Sequence, residues 1–198
     1  MHIEIAKPKD ASVLLEIYKP YILKTAVTYE VEVPSVEAFE KRIETTLKRY
    51  PYLMAKQGEE IIGYAYAGTF IGRSACDWSV EASVYIKETA RRSGAGRMLY
   101  QALENLLKRQ GIVNMNAAVA YPRQEDEYLN LDSVRFHEKL GFRIVGRFDC
   151  CGYKFGKWFD LIWMEKHIGD HQTSMSPFIP FSALKAEKLQ SIGDLKNQ

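Results

Sequence analysis

Apolar residues along the chain follow two periods, and the period changes from segment to segment. Alternation with polar residues is typical of a half-buried strand, and recurrence every three or four positions is typical of an amphipathic helix. Alternation and short apolar runs predict strands over residues 3–6, 52–55, 61–67, 78–86, 112–120, 142–146 and 158–164. Helical spacing predicts helices that begin near Asp10, Ser35, Gly96 and Asp132. Strands that alternate with helices predict an α/β domain with a mixed sheet.

The strand over residues 78–86 carries an acidic residue near its middle. Val80 and Ala82 face one side of this strand, and Glu81 and Ser83 face the other. A helix follows this strand and leads into the strand that begins at Ile112. We therefore expect the two strands to run parallel, joined by a crossover connection.

Composition and length fit a globular protein. The chain has 198 residues, of which 46% are hydrophobic and 26% are charged, and this balance excludes wholesale disorder. We expect one domain over residues 1–168. Residues 169–198 contain Pro177, Pro180 and several serines. We expect them to form a C-terminal appendage that is flexible or partly helical, with a last helix over 182–189.

Charge and cysteine content narrow the function and the compartment. A net charge of +2 leaves no excess of positive charge for non-specific nucleic-acid binding, so we predict no nucleic-acid partner. No apolar run approaches the ~18–20 residues of a membrane span, and the N-terminus lacks the pattern of a secretory signal. Cys76, Cys150 and Cys151 are a poor framework for disulfides, because their number is odd and two are adjacent. We expect a cytoplasmic protein with no membrane partner.

A glycine-rich turn between a strand and a helix is the strongest sign of a ligand site. In Arg91-x-x-Gly94-x-Gly96 the glycines let a ligand approach the backbone, and free N–H groups at the helix start point outward. With the helix dipole, these groups suit a pyrophosphate. The turn is neither a Walker loop, since no Gly-Lys-Ser/Thr follows, nor a Rossmann fingerprint, since Leu99 replaces the third glycine. The alternative is a glycine turn that faces only solvent.

Several motifs together resemble the GNAT N-acetyltransferases. Residues 84–86 (Val-Tyr-Ile), followed by residues 91–96 and an amphipathic helix, look like the acyl-CoA loop of this superfamily. Residues 136–142 (Phe-His-Glu-Lys-Leu-Gly-Phe) resemble its late helix–strand signature. The segments 51–53, 63–68, 77–81 and 152–158 resemble, more narrowly, the phosphinothricin-type acetyltransferases. The likeness runs in one order over residues 1–168 and implies a GNAT fold, a mixed sheet of about seven strands flanked by helices.

The resemblance implies acetyl-CoA as co-substrate and assigns its binding residues. The loop amides of residues 92–97 would hold the pyrophosphate, and the backbone of Val84 and Ile86 would pair with the pantetheine arm as an added strand does. One backbone N–H of that strand would polarise the thioester carbonyl. The residues assigned to the coenzyme are Val84, Tyr85, Ile86, Arg91, Arg92, Ser93, Gly94, Ala95, Gly96, Arg97, Asn130 and Ser133. For Asn130 the alternative is an ordinary turn residue.

Two residues match the family's catalytic positions. Glu81 matches the catalytic glutamate, which would take a proton from the acceptor amine through water, because an alkyl ammonium with a pKa near ~10.4 is almost fully protonated at neutral pH. The alternative is a structural ion pair between Glu81 and an arginine. His137 stands where many members carry a tyrosine thought to protonate the departing thiolate, and its imidazole could donate or relay a proton. The alternative is a helix histidine that is hydrogen-bonded for packing.

Substrate choice is expected to depend on two further residues. Arg73 matches a family position suited to gripping a carboxylate, and Tyr29 matches an aromatic contact from the loop between the first two helices. The phosphinothricin pattern has a basic residue where this chain has Ile71 and a tyrosine where it has Cys76. The loss of a cation and a phenol argues against tight binding of a doubly anionic phosphinic amino acid.

The predicted activity is acetyl-CoA-dependent N-acetyl transfer to a small amino-acid-like amine, directly within a ternary complex. One alternative is a peptide or protein N-terminal acetyltransferase, whose basic peptide would meet the acidic loop over 124–129. Another is a non-catalytic acyl-CoA-binding sensor. We predict no metal, because the pair His167 and His171 lacks an acidic partner inside its motif. The resemblance and the aromatic residues over 153–159 predict a homodimer.

Overall fold

Seven strands form one mixed sheet in the computed structural model, which describes residues 1–184. The strands are β1 (His2–Ile5), β2 (Tyr52–Gln57), β3 (Glu60–Thr69), β4 (Ser79–Ile86), β5 (Asn114–Tyr121), β6 (Arg143–Lys154) and β7 (Lys157–His167). Their order across the sheet is β1-β2-β3-β4-β5-β7-β6. β4 and β5 are parallel, and the other neighbouring pairs are antiparallel. The predicted α/β class and the mixed sheet of seven strands are confirmed.

Helices on both faces of this sheet enclose two apolar clusters. The α-helices of the described residues are α1 (Ala11–Lys24), α2 (Val36–Arg49), α3 (Ala95–Arg109) and α4 (Asp132–Lys139). α1 and α2 share a cluster with β2 and β3 that buries Leu14 and Tyr64. α3 connects β4 to β5 and packs in the larger cluster, which buries Leu103 and Met115. Each such side chain stabilises the fold by about 1.5–3 kcal/mol. No helix within residues 1–184 is long and apolar enough to cross a membrane.

Two predicted helix starts behave differently. Ser35 caps α2, because its hydroxyl oxygen accepts a hydrogen bond from the N–H of Ala38 at 3.1 Å. Asp10 stands before α1 but does not cap it. Its carboxylate instead accepts a hydrogen bond from the N–H of Lys7 at 2.8 Å, within a short turn that precedes the helix.

The last hairpin is longer than the hydrophobic pattern predicts. β6 continues to Lys154, although the sequence predicted a strand that ends at Gly146. Its pairing with β7 shifts register near Ile144 and again between Phe148 and Gly152. β6 is an edge strand, and most of its side chains are exposed. The strand therefore lacks the alternation of buried and exposed residues that sequence analysis detects.

The described part of the C-terminal segment packs on the body of the domain. The N–H of Ile179 donates to the carbonyl of Gln110 at 2.9 Å, and the side-chain amide of Gln110 donates to the carbonyl of Ile179 at 2.8 Å. Phe181 and Leu184 are each 7% exposed and belong to the larger apolar cluster. The predicted helix over 182–189 lies mostly outside the described residues, and the predicted domain boundary stays a prediction.

Candidate active site

A cleft opens in the sheet where β4 and β5 stop pairing. The two parallel strands pair at three positions, of which the last joins Glu81 to Asn116. Beyond this point a pocket lies between residues 82–85 of β4 and 117–120 of β5. Val27, Tyr100, Leu129, Ser133 and His137 also line it. His137 therefore lines the cleft, and Glu81 stands at the last paired position before the cleft begins.

The backbone of β4 presents every second residue to this cleft. The N–H of Lys87 bonds to the carbonyl of Ile62 on the β3 side, so odd-numbered residues of β4 face β3 and even-numbered residues face β5. The peptide groups of Val84 therefore face the cleft. Those of Ile86 are already bonded, because the hydroxyl of Tyr21 donates to its carbonyl at 2.6 Å and accepts from its N–H at 3.2 Å. Of the two residues expected to pair with a pantetheine arm, Val84 has peptide groups that face the cleft, whereas the peptide groups of Ile86 are bonded to Tyr21 of α1.

The glycine-rich loop enters α3 with its N–H groups pointing away from the helix body. Gly94, immediately before α3, has a φ of +90°, and Arg92 has a φ of +64°. The N–H groups of Gly96 and Arg97 lie in the first turn, where an α-helix offers no carbonyl partner. The side chains of Arg91, Arg92 and Arg97 are exposed. The loop thus offers outward N–H donors and positive charge to an anion.

Other residues assigned to the coenzyme hold local structure. The hydroxyl of Ser93 accepts a hydrogen bond from the N–H of Ala95 at 3.3 Å, and Ala95 itself is buried. The side-chain oxygen of Asn130 accepts from the backbone N–H two residues later, at 2.9 Å, where α4 begins. The ring of Tyr85 packs edge-on against Tyr18 and belongs to the cluster of α1 and α2. Their roles toward a coenzyme stay predictions.

Glu81 lies at the point where the cleft begins. Alternation along β4 separates its side chain from Val80 and Ala82, which are buried in the α3 cluster. Its paired neighbour on β3 is Gly68, which has no side chain, and Tyr66 two residues along β3 is close enough to feel the charge of the carboxylate. Within the described residues the Glu81 carboxylate forms no hydrogen bond and no ion pair. The structural ion pair with an arginine is therefore not formed, and burial raises the pKa of the Glu81 carboxyl.

His137 is buried in α4 with both ring nitrogens bonded. Its Nδ1 lies 2.7 Å from the carbonyl oxygen of Ser133, which can only accept, so Nδ1 carries the proton. Nε2 lies 2.9 Å from the hydroxyl of Tyr100 and therefore accepts its proton. Burial lowers the pKa of His137, which favours the neutral ring. The ring of His137 packs edge-on against Tyr100 and also lines the cleft.

The two residues predicted to contact the acceptor differ in their surroundings: Tyr29 is packed against β6, and Arg73 is exposed. The hydroxyl of Tyr29 donates to the carbonyl of Asp160 at 2.6 Å, and its ring lies so close to Gly152 that a Cβ there would be 2.5 Å from it. Arg73 is exposed in the connection between β3 and β4, next to Ile71, which is 59% exposed. Within the described residues the Arg73 side chain has no hydrogen bond or ion pair. The ring of Tyr29 is therefore fixed, whereas the guanidinium of Arg73 is available to a ligand.

The described part of the chain contains no candidate metal site. Residues 1–184 contain no group of three or more His, Cys, Asp or Glu side chains placed to hold an ion. The rings of His167 and His171 lie 4.8 Å apart, in contact with each other. Their ring nitrogens contact Glu165 and Asn114.

Comparison with known proteins assigns this arrangement to a family. Residues 3–163 match the family model described as the acetyltransferase (GNAT) domain. The chain belongs to the GNAT acetyltransferase family. The predicted family, the GNAT fold and the assignment to the acyltransferases are thereby confirmed.

Relatives of this GNAT chain match it over most of its length. The phosphinothricin N-acetyltransferase of Streptomyces viridochromogenes is 32% identical over 161 residues, which cover 81% of this chain and 84% of that protein. The L-methionine sulfoximine/L-methionine sulfone acetyltransferase of Salmonella typhimurium is 29% identical, with 86% and 96% covered. The crystal structure of a phosphinothricin acetyltransferase (Pat) from Sinorhizobium meliloti in complex with AcCoA gives a TM-score of 0.80 at 30% identity, with 91% and 96% covered.

Two tyrosines that hold the cleft of this GNAT domain were missed by sequence reasoning. Tyr100 fixes the ring of His137, and Tyr21 fixes the peptide groups of Ile86. Both lie in apolar stripes of helices and are less than 10% exposed. A signal was present, because a tyrosine placed in a buried stripe needs a partner for its hydroxyl. The sequence does not say which partner that is.

Proposed function

We propose that this protein transfers the acetyl group of acetyl-CoA to the amine of a small amino-acid-like molecule, directly within a ternary complex. The observation that carries the proposal is the unpaired, part-buried carboxylate of Glu81 where the cleft begins. Three relatives support it. One is named a phosphinothricin N-acetyltransferase, another is named an acetyltransferase of L-methionine sulfoximine and L-methionine sulfone, and the Pat crystal structure contains AcCoA.

The described residues fit acetyl-CoA. The outward N–H groups of Gly96 and Arg97 would bind the pyrophosphate, helped by the exposed arginines of the loop. The peptide groups of Val84 would bond to the pantetheine arm, and a backbone N–H donated to the thioester carbonyl can contribute about 3 kcal/mol to the transition state. Ile86 joins this pairing only where the hydroxyl of Tyr21 releases its N–H.

Glu81 supplies the base in the proposed reaction. It accepts, through water, a proton from the acceptor ammonium, and the nitrogen lone pair then forms a C–N bond with the thioester carbonyl carbon. The C–S bond breaks, and the thiolate sulfur takes up the second proton, which the nitrogen loses as it becomes the amide. Because burial raises the pKa of Glu81, its carboxylate is a stronger base than that of an exposed glutamate.

His137 supports proton removal in this scheme rather than proton donation to the thiolate. A neutral ring whose Nδ1–H is bound to the carbonyl of Ser133 has no proton to give at Nε2. Nε2 instead accepts from the hydroxyl of Tyr100, which lines the cleft, lies 3.4 Å from the carbonyl oxygen of Ala82, and can still accept a hydrogen bond itself. The pair Tyr100 and His137 would therefore orient water or the acceptor amine for attack.

The loop before α3 gives a first prediction. Replacing Gly94, at φ +90°, with alanine forces a non-glycine residue into left-handed backbone, at a cost of about 1–2 kcal/mol. Relief of that strain moves the N–H groups of the loop, so we expect the KM for acetyl-CoA to rise several-fold. Gly58→Ala is the matched control, because Gly58 also has a positive φ of +61° with open space around it, but lies in the β2–β3 turn. Both variants should lose similar stability; an unchanged KM in Gly94→Ala would contradict the loop assignment.

Acceptor recognition is proposed to use Arg73 and the ring of Tyr29. Arg73 is exposed without a partner within residues 1–184, as a guanidinium awaiting an anion would be. Exposed Ile71 beside it offers no second cation. We expect weak acetylation of phosphinothricin relative to singly charged amino acids.

The function is tested by thiol release from acetyl-CoA over a panel of free amino acids, their analogues and short peptides, with mass spectrometry of the product. Transfer to free amino acids supports the proposal. Transfer to peptides alone would identify the peptide acetyltransferase instead, and tight coenzyme binding without transfer to any amine would identify a sensor.

The acidic loop offers little support for a peptide acceptor. Glu125 accepts a hydrogen bond from the N–H of Leu131 at 2.7 Å. Asp126 accepts from two N–H groups of its own loop and from the ammonium of Lys157 at 2.8 Å. These two carboxylates therefore hold the loop together, and Glu127, which is exposed and forms no hydrogen bond or ion pair within residues 1–184, is the acidic side chain of the loop left to meet a basic peptide.

A homodimer is proposed from the resemblance and the surface of the last hairpin, and a cytoplasmic location from the three cysteines, which are a poor disulfide framework. Phe148, Tyr153 and Trp158 are each more than half exposed on β6 and β7, and large exposed apolar side chains mark interaction surfaces. Light scattering at micromolar concentration should give a mass twice that of one chain, which is 22.8 kDa. The Phe148→Asp variant should give a mass closer to that of a single chain. A wild-type monomer would remove the proposal.

A further inference from the structure

Asn116 is a buried amide near the start of β5. The residue is 4% exposed and stands between Met115 and Ala117, which pack in the larger apolar cluster. Asparagine is depleted in strands, because its short polar side chain competes for the hydrogen bonds of the backbone. A buried amide must also find partners for its oxygen and its N–H groups.

Asn116 and Glu81 lie side by side on one face of the sheet. They form the last pair of the parallel register between β4 and β5, and neighbouring strands are about 4.7–4.9 Å apart. The preceding pair, Val80 and Met115, is buried in the larger apolar cluster with α3. Since side chains alternate along a strand, Glu81 and Asn116 both point to the opposite face. The amide therefore stands beside the proposed base, where the cleft begins.

The amide of Asn116 is fixed in a way that leaves its oxygen free. Its Nδ2 donates to the carbonyl oxygen of Val80 at 3.2 Å, and because a carbonyl can only accept, this bond identifies the nitrogen end. Oδ1 forms no hydrogen bond within residues 1–184. Among the side-chain polar atoms of those residues, only Oε1 of Gln110 lacks both a partner and contact with solvent. Oδ1 of Asn116 therefore reaches space that solvent can enter.

The neighbour of Asn116 on its other side leaves this oxygen without a donor. Glu165 of β7 pairs with Asn116, and a carboxylate only accepts hydrogen bonds. Its oxygens are already bound to Asn114, Arg143 and His167, at 3.1, 2.7 and 3.3 Å. Glu165 therefore has its own partners and supplies nothing to Oδ1.

The Glu81 carboxylate and Oδ1 of Asn116 are thus two neighbouring acceptors without partners in the described part of the chain. Two acceptors cannot bond to each other. A water molecule placed between them can donate one hydrogen bond to each, so the pair is suited to holding a water beside the base.

We propose that Asn116 holds the water through which Glu81 takes the proton of the acceptor ammonium, and so acts as a positioning residue. This inference rests on the proposed function. A water that donates to both Glu81 and Oδ1 has only lone pairs left for the ammonium. The ammonium then passes a proton to the water oxygen, and the water passes one of its own to the Glu81 carboxylate. Asn116 neither gains nor loses a proton.

The test begins with Asn116→Leu, which removes the amide oxygen and keeps the size of the side chain. We expect kcat for thiol release at pH 7 to fall about 3- to 10-fold, as for the loss of one hydrogen bond, with the KM for acetyl-CoA unchanged. The deficit should shrink toward pH 10, because a neutral amine needs no relay. Asn114→Leu is the matched control: it removes an amide from the same face of β5, but Asn114 pairs with Ser79, and the variant should keep the wild-type kcat.

A double variant separates positioning from support of the strands. In the Glu81→Gln background, Asn116→Leu should lower kcat by less than about twofold more, because no carboxylate is left to receive the proton. Losses that multiply in full would mean that Asn116 only supports the β4–β5 pair, and this would overturn the inference. A deficit that stays constant between pH 6 and 10 would overturn it as well.

Asn116→Asp keeps an accepting oxygen and decides the question if the leucine variant does not fold. A second carboxylate beside Glu81 raises the pKa of Glu81, so the acid limb of the pH profile should move to higher pH. An acid limb at the wild-type position would overturn the inference, since the two side chains would then not share a water. If Glu81→Gln is impaired and Asn116→Leu has the wild-type kcat, this inference alone is wrong. A wild type that transfers acetyl to no amine would instead refute the proposed function.

Discussion

Replacing Glu81 with glutamine is expected to lower kcat/KM at neutral pH by about 10²–10⁴-fold, the usual contribution of a general base. Glutamine keeps the size of the side chain but cannot take a proton, and no described neighbour forms a hydrogen bond or ion pair with Glu81 that would compensate. The deficit should shrink as the pH rises, because more of the acceptor amine is then already neutral. Steady-state rates of thiol release between pH 6 and 10 measure both effects.

The wild-type pH profile provides an internal check on this assignment. Burial raises the pKa of Glu81 above its usual 4.5, so activity should fall as the pH drops through that raised value, and this acid limb should be absent in Glu81→Gln. Glu59→Gln, at the exposed β2–β3 turn, is the matched control and should retain wild-type rates. Full turnover in Glu81→Gln at pH 7 would show that another group, or water alone, removes the proton.

Replacing Phe181 with alanine is expected to destabilise the protein by about 3–5 kcal/mol, the cost of truncating a buried phenylalanine. Phe181 is 7% exposed and packs in the larger apolar cluster, although it lies outside the segment that matches the family model. For a chain of this size the loss corresponds to a fall in Tm of about 6–20 °C. Thermal unfolding followed by circular dichroism measures it.

The control for this prediction comes from the same segment. Ile179 is 36% exposed and is held by backbone bonds to Gln110, which Ile179→Ala leaves intact. We expect that variant to lose much less than Phe181→Ala. If both variants unfolded at the wild-type temperature, the segment over 176–184 would contribute nothing to the core in solution.

The strands and helices of the sheet's centre could be predicted because their signals are local. β4 shows its alternation within eight residues, and the start of α3 is indicated by Gly94, whose positive φ is a conformation that glycine adopts easily. Glu81 was found through the same alternation, together with the family resemblance. β6 was predicted too short, because an exposed edge strand with two register shifts has no periodic burial to reveal it.

The surroundings of the site were much less predictable. His137 was a candidate from its motif, but the sequence does not indicate that Tyr100 occupies its Nε2, and this bond decides that the ring accepts rather than donates. Likewise the sequence presented Val84 and Ile86 as equivalent, whereas Tyr21 satisfies the peptide groups of Ile86 alone. Lys154 lies in the segment 152–158 that carries part of the resemblance, but the sequence does not indicate that it is buried, because lysines are mostly exposed.

The order of the elements, the strand that carries Glu81 and the glycine-rich helix start could be predicted because each depends on residues a few positions apart. The hydrogen-bond partners depend on packing between distant segments: Tyr21 bonds to Ile86, 65 residues away, Tyr100 to His137, 37 residues away, and Lys154 to Thr28, 126 residues away. Periodicity fixes which face of an element is buried, but a hydrogen bond needs two atoms within about 3 Å. That distance is set by how the helices and strands pack against one another.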